Sequence, residues 1–472
     1  MQALVSRSAS LIAFVLLLFL IVWLPIPWGS NRIWSSLVMS GATSIILVFW
    51  SISRLFSVRA KHDWNKNQIV ALGLLGLWLV YLFLQTVPIP FELLRLISSK
   101  SYEAYSVAGD RSTGAISLDI SSTQFALLRY ATYVAIFGLT WALVNSKNRL
   151  LALVTTVFVA GVLESILGIG LWSAGKSLVP HSLSQGQWSR TTGTFVNRNH
   201  YACHLALAFC AGIGLLIMKR GIRVRTSGVY LFAGSLLDNV FNGRVLIIAG
   251  LVVVFCALLL SGSAGAFLAL IAALGVVFTL NSNYLGRSLR LTGVAGFVIV
   301  IAGLAILFTG GGELWSRALQ GDIGLNTRIE QWLVTWNLIE QFPLFGVGAG
   351  NYAVVFPGYH DESLPRLHYD HVHNDFLELL ANQGMVGFVL LACAILFVGS
   401  KLISRYRKSN NHLKTGAIFA SLSGMFVMLI HGLVEFNFHI PANAAYFFVL
   451  MGIGMSAREY NSKRQRPKRG DV

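Results

Sequence analysis

The chain has 472 residues and a formal net charge of +17, yet only 12% of its residues are charged and 55% are hydrophobic. A mean hydropathy of +0.67 and apolar runs of about 20 residues recurring from end to end exclude a soluble globular chain, because runs of that length match a bilayer core. In lipid the backbone must satisfy its own hydrogen bonds, so the runs are helices and the fold class is an all-α polytopic membrane protein.

In chain order, twelve spans are predicted, at 9–28, 33–52, 69–87, 123–144, 150–172, 201–218, 245–261, 264–280, 291–309, 385–403, 416–435 and 442–457. No small-residue cleavage site follows the first apolar run, which is therefore read as retained rather than as a signal peptide. With the N-terminus inside, 25 of the 36 Lys and Arg residues fall on inside segments and 10 on outside segments. That bias predicts cytoplasmic N- and C-termini. The basic excess then meets anionic headgroups of membrane lipids, and nothing favours nucleic acid as a partner. Cys203, Cys210, Cys256 and Cys393 all fall inside apolar runs and read as small hydrophobic core residues rather than disulfide partners.

The chain reads as one membrane-embedded domain over 1–472, with long outside loops at 173–200 and 310–384. A third outside segment, 88–122, is polar but carries no interpretable motif. The largest loop, between spans 9 and 10, holds nine acidic and three basic residues, the latter all arginines, and a loop of that size usually carries function. Within it, Thr327 and Glu330 have capping-box spacing, which predicts a helix start there. Ile329, Trp332, Leu333, Trp336 and Ile339 then share one face, for the membrane surface or for neighbouring helices. Arg328 falls in the first turn, where it reads either as a phosphate ligand or as a solvated arginine near an interfacial helix. Gly346, Gly348 and Gly350 follow Pro343 and read as a turn, not a nucleotide loop, because no strand precedes them.

The segment from His368 through His371 and His373 to Asp375 offers three readings. A histidine is the general base; the cluster holds a metal, although Phe376 stands where a further ligand is wanted; or the histidines cap the helix that follows. In the other loop, Arg190 to His200 gathers two arginines, two amides and a histidine on the same side. Arg129 and Glu164 lie inside spans at matching depth and are predicted to pair.

Three ordered stretches resemble a known family. They are Gly193-Thr194-Phe195-Val196-Asn197-Arg198-Asn199-His200, then Thr327-Arg328 with Trp332 through Pro343-Leu344-Phe345-Gly346, then His371, His373-Asn374-Asp375-Phe376 and Gly384. The family is the O-antigen ligase and Wzy-type polysaccharide polymerase superfamily of bacterial inner membranes. The resemblance implies a C-type glycosyltransferase-like architecture with its site on the large, partly helical periplasmic loop. The implied reaction moves an undecaprenyl-diphosphate-linked glycan to an acceptor hydroxyl, of another glycan or of lipid A-core, with inversion and with neither metal nor cofactor. It places the base at His373 and a diphosphate ligand at Arg328. The residues implied to bind substrate are Arg190, Arg198, Asn199, His200, Asn374 and Arg129. One departure is Ala264, where many members carry an arginine. Either Arg190, Arg198 or Arg129 replaces it, or the protein is not a lipid A-core ligase, which favours a polymerase of exported polysaccharide. A flippase for lipid-linked oligosaccharide and a non-catalytic scaffold of an export complex are the alternatives from other classes.

Overall fold

A computed structural model of the protein describes residues 1–57, 66–107, 112–180, 190–219, 243–280, 323–359 and 369–458. The first seven helices are α1 (Gln2–Trp23), α2 (Ile33–Leu55), α3 (Lys66–Leu84), α4 (Phe91–Ile97), α5 (Ser99–Ser106), α6 (Ile120–Leu143) and α7 (Lys147–Ser173). They are followed by α8 (Arg198–Met218), α9 (Arg244–Ser261), α10 (Ala264–Leu280), α11 (Ile323–Gln341), α12 (Tyr352–Val355), α13 (Asp375–Arg407), α14 (His412–His431) and α15 (Pro441–Ser456). A two-residue antiparallel pairing of Ile89–Pro90 with Thr113–Gly114 is the one sheet among the described residues.

Nine of the described helices, α1, α2, α3, α6, α7, α8, α9, α13 and α14, are long and apolar enough to cross a membrane. Two shorter apolar helices, α10 and α15, accompany them. The chain is thus a polytopic membrane protein, and eleven of the twelve predicted spans fall on helices. The remaining one, 291–309, lies outside the described residues. The span predicted at 416–435 ends early, at His431, so that 432–435 belong to a connection.

Small residues let the central helices approach closely, as interfaces without a hydrophobic driving force require. A Cβ on Gly214 of α8 would lie 2.6 Å from the Gly416 carbonyl oxygen of α14. Both helices are buried over most of their length. Cys203 and Cys210 are buried in this core, whereas Cys256 and Cys393 face outward from the bundle, so only the first pair matches the reading as core residues.

The predicted pair of Arg129 and Glu164 does not form. Consecutive helices need not be neighbours: α6 packs on α2, α3 and α15, while α7 packs on α8, α9 and α1. Glu164 instead accepts from the Thr194 N–H at 3.3 Å and the Thr194 hydroxyl at 3.1 Å, fixing the loop that leads into α8. The Arg129 guanidinium lies over the Phe125 ring, 5.3 Å from its centroid.

The large loop forms a cap with its own apolar core, in which Val334, Leu338, Phe342, Val347, Tyr352, Phe356 and Val372 are buried together. Helix α11 begins at Ile323, before the predicted capping box, so Arg328 lies beyond the first turn. Its predicted apolar face also splits. Ile329, Leu333 and Trp336 point outward, whereas Gln331, Val334, Thr335 and Leu338 are buried. The buried polar pair is satisfied by Tyr352, whose hydroxyl is 3.2 Å from Gln331 and 3.0 Å from Thr335.

The glycine turn is a turn, with φ of +67°, +107° and +81° at Gly346, Gly348 and Gly350. Segment 88–122, mute as sequence, braces it. Leu118 donates its N–H to the Val347 carbonyl at 2.9 Å, and Asn351 reaches the Ser117 hydroxyl at 3.0 Å.

Candidate active site

Four segments meet at one end of the bundle: the start of α8, the early part of α11, the run 371–378 into α13, and the connection 432–439 after α14. Their common partner is Glu435, which is 1% exposed. One carboxylate oxygen accepts from Arg328 Nη2 at 2.7 Å and from Asn199 Nδ2 at 2.5 Å. The other is 3.1 Å from His373 Nδ1. Arg328 is further held by the Val434 carbonyl, 3.1 Å from Nη1. Burial alone pushes the Glu435 carboxyl up, but the hydrogen bond from His373 and the neighbouring Arg328 guanidinium outweigh it and hold the group well below the usual carboxylate range.

His373 has φ of +55°, a left-handed conformation that costs a non-glycine residue free energy and persists only where surroundings over-determine it. The surroundings do. Asn374 caps α13 by accepting from Phe376 N at 3.0 Å and Leu377 N at 3.1 Å. The Val372 N–H binds Glu378 at 3.0 Å, and the Val372 carbonyl accepts from Trp332 Nε1 at 3.0 Å. Both neighbours of the histidine are therefore fixed. With Nδ1 donating to Glu435, the tautomer assigned by this network leaves the Nε2 lone pair as the ring's acceptor. That nitrogen has no partner among the described residues.

Behind this pair lies a second chain of charge. His371 Nδ1 is 2.9 Å from Glu378 Oε1, which is 3.0 Å from His439 Nε2, while His439 Nδ1 faces Asp375 Oδ1 at 3.2 Å. Burial depresses His371, more than its Glu378 partner restores. Burial opposes the charge on His439 too, but Glu378 and Asp375 prevail and raise it. The Phe436 ring separates three imidazoles, with centroids 4.3 Å from His371, 4.4 Å from His200 and 4.8 Å from His373.

His371, Glu378 and His439 offer three ligand atoms within 4.8 Å of one another, the spacing a metal would use. A carboxylate on each ring nitrogen of His439 calls for the doubly protonated ring, which has no lone pair to give a metal. Hydrogen bonding accounts for the cluster as it stands.

The residues expected from sequence divide accordingly. His373, Arg328 and Asn199 are brought together on one carboxylate. His200 is buried at its edge, with Nδ1 3.2 Å from Asn437 Oδ1. Asn374 is a helix cap, and its side-chain oxygen is committed to that role. Arg198 opens the first turn of α8. Arg190 lies against the turn between α9 and α10, since a Cβ on Gly262 would be 3.2 Å from its Nε. It thus stands two residues from Ala264. Among the described residues, Glu435 is reached by Asn199, Arg328 and His373 and not by Arg129.

Residues 249–392 match the O-antigen ligase family. An O-antigen ligase domain is present there. A stretch of 217 residues is also 24% identical to an uncharacterized protein of Haemophilus influenzae (strain ATCC 51907 / DSM 11121 / KW20 / Rd), covering 41% of this chain. The match spans 52% of that relative, about half its length. The O-antigen ligase domain contains Arg328, His371, His373 and Glu378 but ends before Glu435 and His439, and it begins after Asn199. The cluster is completed by the start of α8 and by the connection after α14, both outside that domain.

Sequence reasoning missed Glu435 and the run Phe436-Asn437-Phe438-His439 as site residues. The signal was a carboxylate at the predicted end of a span, followed by an amide and a histidine. Ionisable groups at that depth are costly and mark function or pairing.

Proposed function

We propose that the protein transfers a glycan from an undecaprenyl-diphosphate-linked donor to an acceptor hydroxyl on the non-cytoplasmic face, as a polysaccharide polymerase or an O-antigen ligase. The observation that carries this reading is the shared carboxylate of Glu435, which holds an imidazole and a guanidinium at one place. His373 Nε2 accepts the proton of the acceptor hydroxyl while Glu435 stabilises the imidazolium that forms. The acceptor oxygen attacks the anomeric carbon, the bond from that carbon to the diphosphate oxygen breaks, and the lipid diphosphate leaves with the bonding pair. Attack opposite the leaving group inverts the anomeric centre. Arg328, held by Glu435 and the Val434 carbonyl, lies where charge accumulates on the leaving group.

An apolar cavity of about 400 Å³ lies beside the site, lined by Trp78, Tyr133, Phe376, Leu391, Phe438 and Phe447 among others, with Asp375 and His439 at its polar end. It suits the first isoprene units of the donor lipid. Arg190, against Gly262 and near Ala264 in the chain, is the candidate to replace the arginine that Ala264 lacks.

A positioned general base contributes about 10²–10⁴-fold to such a transfer. Purified protein is therefore to be assayed with lipid-diphosphate-linked repeat units, adding lipid A-core or no second acceptor. His373→Ala should lower product by at least about 10²-fold at unchanged protein level. Product formed without lipid A-core identifies a polymerase, and product requiring it a ligase. Undiminished transfer by His373→Ala would remove the mechanism.

A further inference from the structure

The proposed transfer leaves one buried carboxyl without a task. Glu164 lies within α7, nine residues before its end at Ser173, which is about 14 Å at ~1.5 Å per residue. It is 4% exposed. Among the described residues both of its side-chain contacts are with Thr194. Oε2 accepts from the Thr194 N–H at 3.3 Å, and Oε1 lies 3.1 Å from the Thr194 hydroxyl. The loop backbone presses on the same group: Gly193 has φ of +54°, and a Cβ there would lie 2.7 Å from Oε2.

A count of protons decides the state of this carboxyl. The Thr194 hydroxyl has one proton and a second oxygen in reach, the Pro25 carbonyl at 2.7 Å. A carbonyl only accepts, and the shorter contact takes the proton. A carboxylate accepting from that hydroxyl must therefore share its proton with Pro25. It is then a negative charge at bilayer depth held by one long N–H contact and half of another, and such burial is costly. A carboxylic acid balances instead. The Thr194 N–H donates to Oε2, the carboxyl O–H donates to Thr194 Oγ1, and the Thr194 O–H donates to the Pro25 carbonyl, so each donor has one acceptor.

We propose that Glu164 is a neutral carboxylic acid in the folded protein and, through Thr194, a positioning residue for Asn199. Asn199 lies between two points that Glu164 holds. One is Thr194; the other is Tyr201, whose hydroxyl donates to the Glu164 backbone carbonyl at 3.2 Å. Between them Asn197 caps α8 by accepting from the Asn199 N–H at 2.7 Å. The Asn199 side chain is thereby aimed at Glu435. The positioning role rests on the reading of Glu435 and His373 as the transfer site, whereas the protonated carboxyl stands apart from it.

The test uses the full chain in detergent at neutral pH. Infrared spectra of the native chain minus Glu164→Gln should show the carbonyl band of one carboxylic acid and no carboxylate band. Glutamine offers the same pattern, an N–H donor to Thr194 Oγ1 and an oxygen for the Thr194 N–H. Glu164→Gln should therefore unfold at the native temperature and transfer glycan within about twofold of the native rate. Thr194→Ser keeps the hydroxyl and should match it. Thr194→Val removes the hydroxyl and should lower transfer per folded chain by about tenfold, the scale of one lost buried hydrogen bond. A carboxylate band in the difference spectrum, or a lower unfolding temperature in Glu164→Gln, overturns the carboxylic acid. Undiminished transfer by Thr194→Val overturns the positioning role. A native chain that transfers no glycan sinks the transfer reading, and the infrared result still decides the state of Glu164.

Discussion

Glu435 is a buried carboxylate that the fold tolerates only because Arg328, Asn199 and His373 all reach it. Removing one member of such a buried pair leaves the other uncompensated and typically costs about 3–5 kcal/mol. Glu435→Gln keeps the shape but not the charge, so it should lower stability by about 3 kcal/mol and glycan transfer by at least about 10²-fold. Glu435→Asp should recover part of both. The sign with pH follows from the depressed carboxyl. Its contribution is fully present above the ordinary glutamate value near ~4.5 and fades as pH falls toward the lower folded value. Thermal unfolding from pH 3 to 7 should therefore show an acid limb in the native chain that is flattened in Glu435→Gln. An unchanged limb would assign the acid sensitivity elsewhere. The same residue shows what sequence can reveal. His373, Arg328 and Asn199 stand in motifs, so their chemistry was legible; their meeting point was not, because Glu435 looked like the last residue of an apolar span.

Among the elements, the kink in α13 and the glycine turn before it act as one unit. Gly384 has φ of +61° inside α13, and a Cβ there would collide with the Leu344 carbonyl. Gly346 answers from the other side, since its Cβ would lie 2.5 Å from the backbone carbon of Asn382. Val347 and Gly348 then donate to the Ala381 and Asn382 carbonyls, each at 2.9 Å, taking up carbonyls the kink releases. Gly346→Ala combines a positive φ with a backbone clash, so it should destabilise by about 1–3 kcal/mol and reduce transfer by displacing the start of α13. Gly76→Ala on α3 has open space around it and should gain up to about 1 kcal/mol. Detergent unfolding of the two variants separates these outcomes, and equal effects would refute the close-approach argument. Here too the local signal was readable and the long-range one was not. The glycines announced a turn, as apolar runs announced helices. That α6 would turn away from α7, leaving Glu164 to Thr194, depends on packing choices that depth along a helix does not encode.

At the scale of the whole molecule, the described helices sort their ends onto two faces. The ends of α1 and α7 and the starts of α8 and α13 share the face of His373, as the bond from Thr194 to the Pro25 carbonyl and the Asn199–Glu435 contact require. The start of α1, the end of α6 and the end of α15 share the other, where Arg458 reaches Asn145 and Arg149 reaches Ser10. The N-terminus and residue 458 therefore lie on the same side. The predicted segments on that side hold 25 Lys and Arg residues against 10 on the other, a bias that predicts a cytoplasmic location for that side. The reaction proposed for His373 needs the opposite face, where lipid-linked glycans await export. Two exposed positions decide the matter: Ser99 on the face of His373 and Asn410 on the other. In a background with Cys256 and Cys393 replaced by serine, Ser99→Cys should react with a membrane-impermeant maleimide in cells whose cytoplasmic membrane is intact. Asn410→Cys should react only after that membrane is opened. The reverse order would put His373 and Glu435 in the cytoplasm and sink transfer to an exported glycan, while leaving the helices, their packing and the Glu435 cluster as described.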